Sequence, residues 1–297
     1  MKNSPSRFEL YFSLLFILAL LISAAAFLSG VHIGANRTEE KYNQLKLSSL
    51  SPDFTDSYQQ QDVVTFYHTV FLPYREFKQE WLSGTDNQIL SAKDFKQLAK
   101  LANDSYNEVL QASVFDSSPL LQQSQNNTLK SLHLFGTAAS QAAENSTDAK
   151  MTAVRFTQDP FYQNAVKYGL MAQKQYYASM LKWGTKVSPS IPGQYSLPSI
   201  LKLDEWKKLP LMVKNEAVSA VLLNSSYFSA ADPQDITAVV DYWLASGKAK
   251  QYKLDSLQAT VKHLQKTDAI RPQIFCQLKE QYGQKELLPQ IPFFDET

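Results

Sequence analysis

The sequence is poor in glycine, in cysteine and in net charge, and each shortage narrows the classes of protein to which it can belong. Glycine occurs 9 times in 297 residues, below the usual share of about 7%, and there is no glycine-rich phosphate loop. The single cysteine excludes a disulfide-stabilised scaffold. The 29 basic and 28 acidic residues are interspersed and leave a net charge of +1, so we expect no nucleic acid partner.

One long hydrophobic run is present, and it lies at the N-terminus. The uncharged segment extends from Leu10 to Val31, and at about 1.5 Å per residue it is long enough to cross the roughly 30 Å hydrocarbon core of a bilayer. Basic residues precede the run, whereas basic and acidic residues are mixed after it. Since positive flanks stay inside, we predict a cytoplasmic N-terminus over residues 1–9, a transmembrane signal anchor over residues 10–33, and an extracytoplasmic remainder.

A cleaved signal peptide is the alternative interpretation of this segment. The small residues Ala24, Ala25 and Ala26 suit a signal peptidase, and cleavage near Ala26 would release a secreted protein. We favour a retained anchor because the apolar stretch continues through Phe27 and Leu28, beyond the roughly 7–15 residues that are typical of a signal peptide. Both interpretations place most of the chain outside the cytoplasm.

Apolar residues recur at helical spacing along most of the remaining chain, and signals for β-strands are nearly absent. We predict an all-α fold in which a polar spacer over residues 34–57 leads into a helical domain, or first helical half, over residues 58–184. A Pro-rich linker over residues 185–203 and a second helical half with an extended tail over residues 204–297 follow. The helices should form an irregular bundle, and a solenoid-like stack of helix pairs is the alternative.

Local signals place the helix ends. Pro73 lies inside the first helix and should distort it near Thr69, because proline lacks the N–H that would bond to that carbonyl. The segment from Phe161 to Trp183 is apolar around most of its circumference, so we predict that it is the central buried helix. Capping residues and first-turn prolines predict helix starts at Ser91 with Asp94, Ser118-Pro119, Asp159-Pro160 and Asp232-Pro233.

Histidine and cysteine residues lack the motifs that would indicate catalysis. No histidine has an acidic neighbour at a metal-ligand spacing, and we interpret His68 and His133 as core or boundary residues and His263 as solvated. Cys276 is flanked by apolar residues, which favours buried packing over a reactive thiolate.

Carboxylates do not provide a catalytic pair either. Glu76 and Glu80 share a helix face, but Lys78 lies between them, and a solvated surface explains all three residues. The sequence therefore predicts no catalytic, cofactor-binding or metal-binding residue, and an enzyme is the less favoured class.

Aromatic residues are the remaining candidates for a functional site. Tyr168, Tyr176 and Tyr177 place rings on more than one side of the helix from Phe161 to Trp183. Packing in the core is the favoured interpretation, since alanines alternate with the rings as close helix packing requires. A tyrosine-rich binding face is the alternative.

The expected function follows from the anchor and from the helical ectodomain. We expect a non-enzymatic adaptor or scaffold of the cell envelope, attached to the membrane by its N-terminal helix and binding an envelope protein partner. A hydrolase or transferase that acts on envelope polymer, and an extracytoplasmic ligand-binding module, are the alternatives. No cofactor is predicted.

Overall fold

The computed structural model describes residues 57–86, 89–145, 151–282 and 286–295. The predicted anchor over residues 10–33, and all of the predicted spacer except Ser57, lie outside these ranges. Among the described residues, no helix is both long enough and apolar enough to cross a membrane. The prediction of an all-α fold is confirmed, because helices make up most of the described chain and its two strands have two residues each.

Four long helical segments form an antiparallel bundle. The first segment runs parallel to the third, whereas the second and fourth run in the opposite direction. Short strands β1 (Ile89–Leu90) and β2 (Met151–Thr152) pair antiparallel beside one end of the bundle. The segments are α1 with α2 (Gln60–Phe66 and Leu72–Thr85), α3 (Ala92–Leu110), α4 (Pro119–Asn145) and α6 (Pro160–Val187), and the short α5 (Ala153–Thr157) precedes α6.

Two of the predicted helix starts are confirmed by their capping bonds. At the start of α3, the Asp94 N–H donates to Ser91 Oγ at 3.3 Å, and the Ser91 N–H donates to Asp94 Oδ2 at 2.8 Å. At the start of α6, Asp159 Oδ1 accepts the N–H groups of Phe161 and Tyr162. These side chains satisfy amides that have no partner inside the helix.

The start of α4 at Pro119 is also confirmed, but Ser118 has a different role from the predicted cap. Its hydroxyl donates to Asp62 Oδ2 at 2.8 Å and accepts the N–H of Tyr58 at 3.1 Å. Hydrogen bonds of Ser118 therefore link the start of α1 to the start of α4.

The distortion predicted near Thr69 takes the form of a π-helical turn over Tyr67–Phe71, between α1 and α2. In a continuous α-helix the N–H of residue 73 would bond to the carbonyl of Thr69, but Pro73 has no N–H. A turn widened by one residue immediately before the proline accommodates this missing bond.

Aromatic rings fill the centre of the bundle. Trp81 is completely buried, and its ring centroid lies 4.5 Å from that of Phe135. The predicted central position of α6 is confirmed by the burial of Tyr176 and Met180, although Phe161 at its start is 37% exposed. Gly169 on α6 is required by close approach, because a Cβ there would lie 1.9 Å from the hydroxyl of Tyr74.

Shorter helices form the second half. The helix Leu211–Ser225 packs against α6, and the helix Pro233–Ala245 packs against Leu211–Ser225. The helix Ile274–Leu278 packs in turn against Pro233–Ala245, which begins at Pro233, as predicted. The helices are α7 (Leu203–Trp206), α8 (Leu211–Ser225), α9 (Pro233–Ala245), α10 (Lys248–Gln251), α11 (Leu257–Lys266), α12 (Ile274–Leu278) with a 3-10 turn (Lys279–Tyr282), and α13 (Pro292–Asp295).

Two connections and the C-terminal tail complete the second half. Pro210 separates α7 from α8. The Pro-rich segment before α7 packs onto the protein through Ile191 and Leu201, and the Leu257 N–H donates to the Leu201 carbonyl at 2.8 Å. The C-terminal tail, expected to be extended, ends in α13 and buries Phe293.

Candidate functional sites

Tyr168, Tyr176 and Tyr177 do not form an exposed face, which corrects the alternative interpretation of these residues. Tyr176 and Tyr177 are fully buried, and the Tyr177 hydroxyl donates to Oε1 of Gln234. Tyr168 is half-buried, with the Lys130 ammonium 5.4 Å from its ring centroid. Two of the three rings therefore belong to the core.

The histidines and the cysteine also occupy other environments than expected. His68, His133 and Cys276 are exposed rather than buried. Each follows a buried residue, and one step along a helix turns a side chain by about 100° away from its neighbour. His263, expected to be solvated, is half-buried, with its ring centroid 4.8 Å from that of Tyr252.

A buried ion pair joins α2 to α9. Glu76 and Glu80 are exposed, in agreement with the sequence interpretation, but Lys78 between them is buried. The Lys78 ammonium lies 2.9 Å from Oδ1 of Asp232, the residue that precedes α9, and each side chain is at least nine-tenths buried. A buried charge needs a partner at this distance, because its removal from water is costly.

Two further charged groups accompany this pair. Arg75 Nη1 lies 3.9 Å from Oδ2 of Asp232, and within the described residues the buried Arg75 Nε has no hydrogen-bond partner. Asp235 accepts the N–H of Phe275 with Oδ1 and the N–H of Asp232 with Oδ2, each at 3.0 Å. Burial and the neighbouring Asp232 carboxylate raise the pKa of Asp235 to about 6, although the backbone hydrogen bonds oppose the shift.

Arg75, Asp232 and Asp235 line a cavity of about 100 Å³, which we call the polar cavity. Exposed residues of the α12 region, Gln273 and Cys276, also line it. Arg75 and Asp232 also line a second cavity, of about 20 Å³, whose other lining groups are mainly apolar. About 10–15 Å³ accommodates one water molecule, so of these two cavities the polar cavity is the one with room for a small ligand.

The two ends of the bundle form different surfaces. We call the end at Ser57, where the Lys186 ammonium donates to the Ser57 carbonyl, the proximal end. The opposite end, where β1 and β2 lie, is the distal end. It contains a groove of about 350 Å³, lined by residues of α4, α5 and the start of α6. The groove lining includes Ala138, Gln141, Asn145, Arg155, Gln158 and Asp159.

Exposed apolar side chains occur at both ends. At the distal end, the side chains of Ile89 and Val154 are 53% and 70% exposed. Phe161, in the first turn of α6, is also exposed there. The proximal end exposes Leu110 and Phe115, each by 50%.

Neither metal-site geometry nor similarity to known proteins identifies a function for these sites. No group of three or more His, Cys, Asp or Glu side chains in the described part of the chain is arranged to hold a metal ion. No protein-family model, no curated protein and no solved structure matches the chain.

Sequence reasoning missed the buried charges, although one signal for them exists. Tyr74, Lys78 and Trp81 follow one another at spacings of four and three, so Lys78 falls on the apolar stripe of its helix. A lysine on such a stripe indicates a buried carboxylate elsewhere, but the pattern does not identify Asp232, which lies 154 positions away.

Proposed function

We propose that this chain is a membrane-anchored, extracytoplasmic helical adaptor that binds an envelope protein through the distal end of its bundle. The predicted anchor over residues 10–33 provides the attachment, and the charges around it favour an external ectodomain. Cleavage near Ala26 would give a secreted protein with the same binding end.

The observation that carries this proposal is the position of the distal end relative to the start of the described chain. The spacer joins the bundle at Ser57, at the proximal end. Helices α4 and α6 have 27 and 28 residues, so at about 1.5 Å per residue the two ends lie about 40 Å apart. Ile89 and Val154 are therefore remote from the attachment point, where a partner protein can reach them.

The uses of the carboxylates support an adaptor over an envelope-polymer hydrolase or transferase. Asp94 and Asp159 cap helices, Asp232 neutralises Lys78, and Asp235 accepts an N–H of the first turn of α12. Each of these carboxylates forms bonds that stabilise the fold. A general acid or base must instead exchange a proton with a substrate. A ligand-binding module is the second candidate, favoured by the charged wall of the polar cavity.

Thiol labelling of intact cells tests the location. Cys276 is the only cysteine of the chain and is exposed. A membrane-impermeant maleimide should therefore label it in intact cells that express the full chain, and the Cys276→Ser variant should remain unlabelled. Labelling that requires permeabilised cells would place the ectodomain in the cytoplasm and contradict the proposal. The intact mass of the labelled protein should include residues 1–26.

Site-specific photo-crosslinking tests the distal end. A photo-reactive amino acid at position 154 should give a crosslinked protein, and one at position 115, which is also exposed but proximal, should not. Val154→Asp should reduce co-purification of the same protein, whereas Phe115→Asp should not. Crosslinking from position 115 alone, or co-purification unaffected by Val154→Asp, would contradict the proposed binding end.

A further inference from the structure

We propose that the polar cavity binds a small zwitterion of the size of a free α-amino acid, with its carboxylate on Arg75 and its ammonium group on Asp235. The polar cavity lies in a different region from the distal end, and ligand binding there does not depend on the adaptor function.

The guanidinium of Arg75 is the first half of the site. Its five donors suit a carboxylate, which can accept two of them side by side. Asp232 does not use these donors fully, because its Oδ2 lies 3.9 Å from Arg75 Nη1 while its Oδ1 is taken by Lys78 at 2.9 Å. Arg75 Nε, moreover, is buried and has no partner among the described residues. A ligand carboxylate would supply the acceptors that these donors lack.

The carboxylate of Asp235 is the second half. Each of its oxygens accepts one backbone N–H, from Phe275 and from Asp232. The backbone N–H of Gln273 also interacts with this carboxylate. An ionised carboxylate offers about four acceptor positions, so that of Asp235 retains capacity for a further donor. The two backbone bonds also fix the orientation of the Asp235 side chain beside the cavity that Arg75 lines.

The balance of charge selects a zwitterion over a simple ion. Arg75 and Lys78 carry two positive charges, and Asp232 and Asp235, when ionised, carry two negative charges. An anion without an ammonium group would be repelled by both carboxylates, and a cation without a carboxylate by both basic groups. A ligand with one charge of each sign places each charge beside its opposite, and its own net charge is zero.

The volume and the position of the cavity set the size and the route of entry. A cavity of about 100 Å³ can hold several water molecules at about 10–15 Å³ each, which suits a ligand of a few heavy atoms such as glycine. Gln273 and Cys276 line the cavity and are exposed to solvent, so this side is the opening. Cys276, as the only thiol, is a natural reporter of occupancy.

The test measures the rate at which iodoacetamide alkylates Cys276 in the purified full-length protein at pH 7, with glycine, acetate, ethylamine or glycerol added. Glycine should slow alkylation in a saturable manner. Acetate and ethylamine should each bind at least about tenfold more weakly, as expected when one charge-assisted contact is lost. Absence of protection by glycine, or equal protection by acetate or glycerol, would overturn the proposal.

Variants separate recognition from folding. Arg75→Gln should abolish protection by glycine, whereas Arg271→Gln, at an exposed position near the opening, should retain it. Because Arg75→Gln also affects a buried ion pair, its fold is checked by circular dichroism. Gln79→Glu provides a second variant at a half-buried lining residue. Gln79 follows Arg75 by one turn of α2, so the added negative charge lies at the carboxylate end of the ligand and should weaken glycine binding without loss of the fold. Unchanged protection in this variant would overturn the proposal.

Discussion

The bundle and the C-terminal helices are stabilised by different kinds of contact. In the bundle, aromatic rings of α2, α4 and α6 pack against one another. The ring centroid of Trp81 lies 4.5 Å from that of Phe135, 5.5 Å from that of Phe77 and 6.4 Å from that of Tyr162. Such packing depends on long helices whose apolar stripes face one another. The bundle therefore forms from apolar stripes, each of which is continuous within one segment of the sequence.

The C-terminal helices are short, and polar side chains from distant parts of the chain fasten their ends. Glu286 Oε1 accepts the N–H of Leu211 at 2.7 Å, and Asp235 accepts that of Phe275 at 3.0 Å. Asp241 accepts hydrogen bonds from Lys214 and Trp206 at 2.7 to 3.0 Å. Isolated helices of this length are marginal in water, so these tertiary bonds and packing determine where they form.

Removal of a central ring should give the largest effect. Trp81→Ala should lower the free energy of unfolding by about 3–5 kcal/mol, because it removes a fully buried side chain and leaves a cavity. Phe115→Ala, at a site that is 50% exposed, should change it by less than about 0.5 kcal/mol. Chemical denaturation of the two variants measures both values, and similar losses in the two would show that the rings of the bundle are not its main source of stability.

Removal of the ion pair that links α2 to Asp232 should have a somewhat smaller effect. Lys78→Met should cost about 3 kcal/mol, at the lower end of the range for broken buried pairs, because Arg75 still lies 3.9 Å from Asp232. Lys100→Met removes the same side chain from an exposed pair with Asp104 and should cost less than about 1 kcal/mol. Equal costs in denaturation experiments would indicate that the Lys78 pair is solvated.

This contrast explains which parts of the fold the sequence predicts. Ser91 and the Asp159-Pro160 pair lie next to the helices that they cap, so the bundle boundaries follow from local patterns. The start of α8 after Pro210 has no such local signal, because the residue that caps it, Glu286, lies 75 positions away from Leu211. No local pattern can reveal such a cap.

The candidate sites were less predictable for the same reason. Asp232-Pro233 predicted the start of α9, but the pairing of Asp232 with Lys78 and the approach of Arg75 to the polar cavity depend on how α2 meets α9. Tyr176 and Tyr177 illustrate the opposite case. Their helical pattern favoured packing in the core, and both are buried there.

The C-terminal region should also respond to pH through Asp235. Burial raises the pKa of this carboxyl from 3.8 to about 6, so between these values the folded protein binds the proton more readily than the unfolded chain. The resulting stability is complete below pH 3.8 and is lost as the pH rises through about 6. Since a tenfold change in proton affinity corresponds to about 1.4 kcal/mol, this contribution to the free energy of unfolding is about 2–3 kcal/mol.

Comparison with Asp235→Asn isolates this contribution from those of other carboxyls. The free energy of unfolding of the unmodified protein, minus that of the variant, should decrease by about 2–3 kcal/mol between pH 4 and pH 7. Denaturation series at several pH values provide the measurement. A difference that stays constant over this range would mean that the Asp235 carboxyl remains well solvated.

The smallest and most local effect is expected at the start of α8. Pro210, which precedes the helix, has no side-chain acceptor, and the carboxylate of Glu286 caps the first turn by accepting the Leu211 N–H. Glu286→Ala should cost about 1 kcal/mol, as for the loss of other N-terminal caps, and should speed hydrogen exchange at Leu211. Glu280→Ala removes an exposed carboxylate from the same region and should leave that exchange unchanged. If the Leu211 amide exchanges at the original rate in both variants, packing against α6 alone determines the start of α8. The contrast between a bundle held by aromatic packing and C-terminal helices held by polar side chains would then not apply at this position.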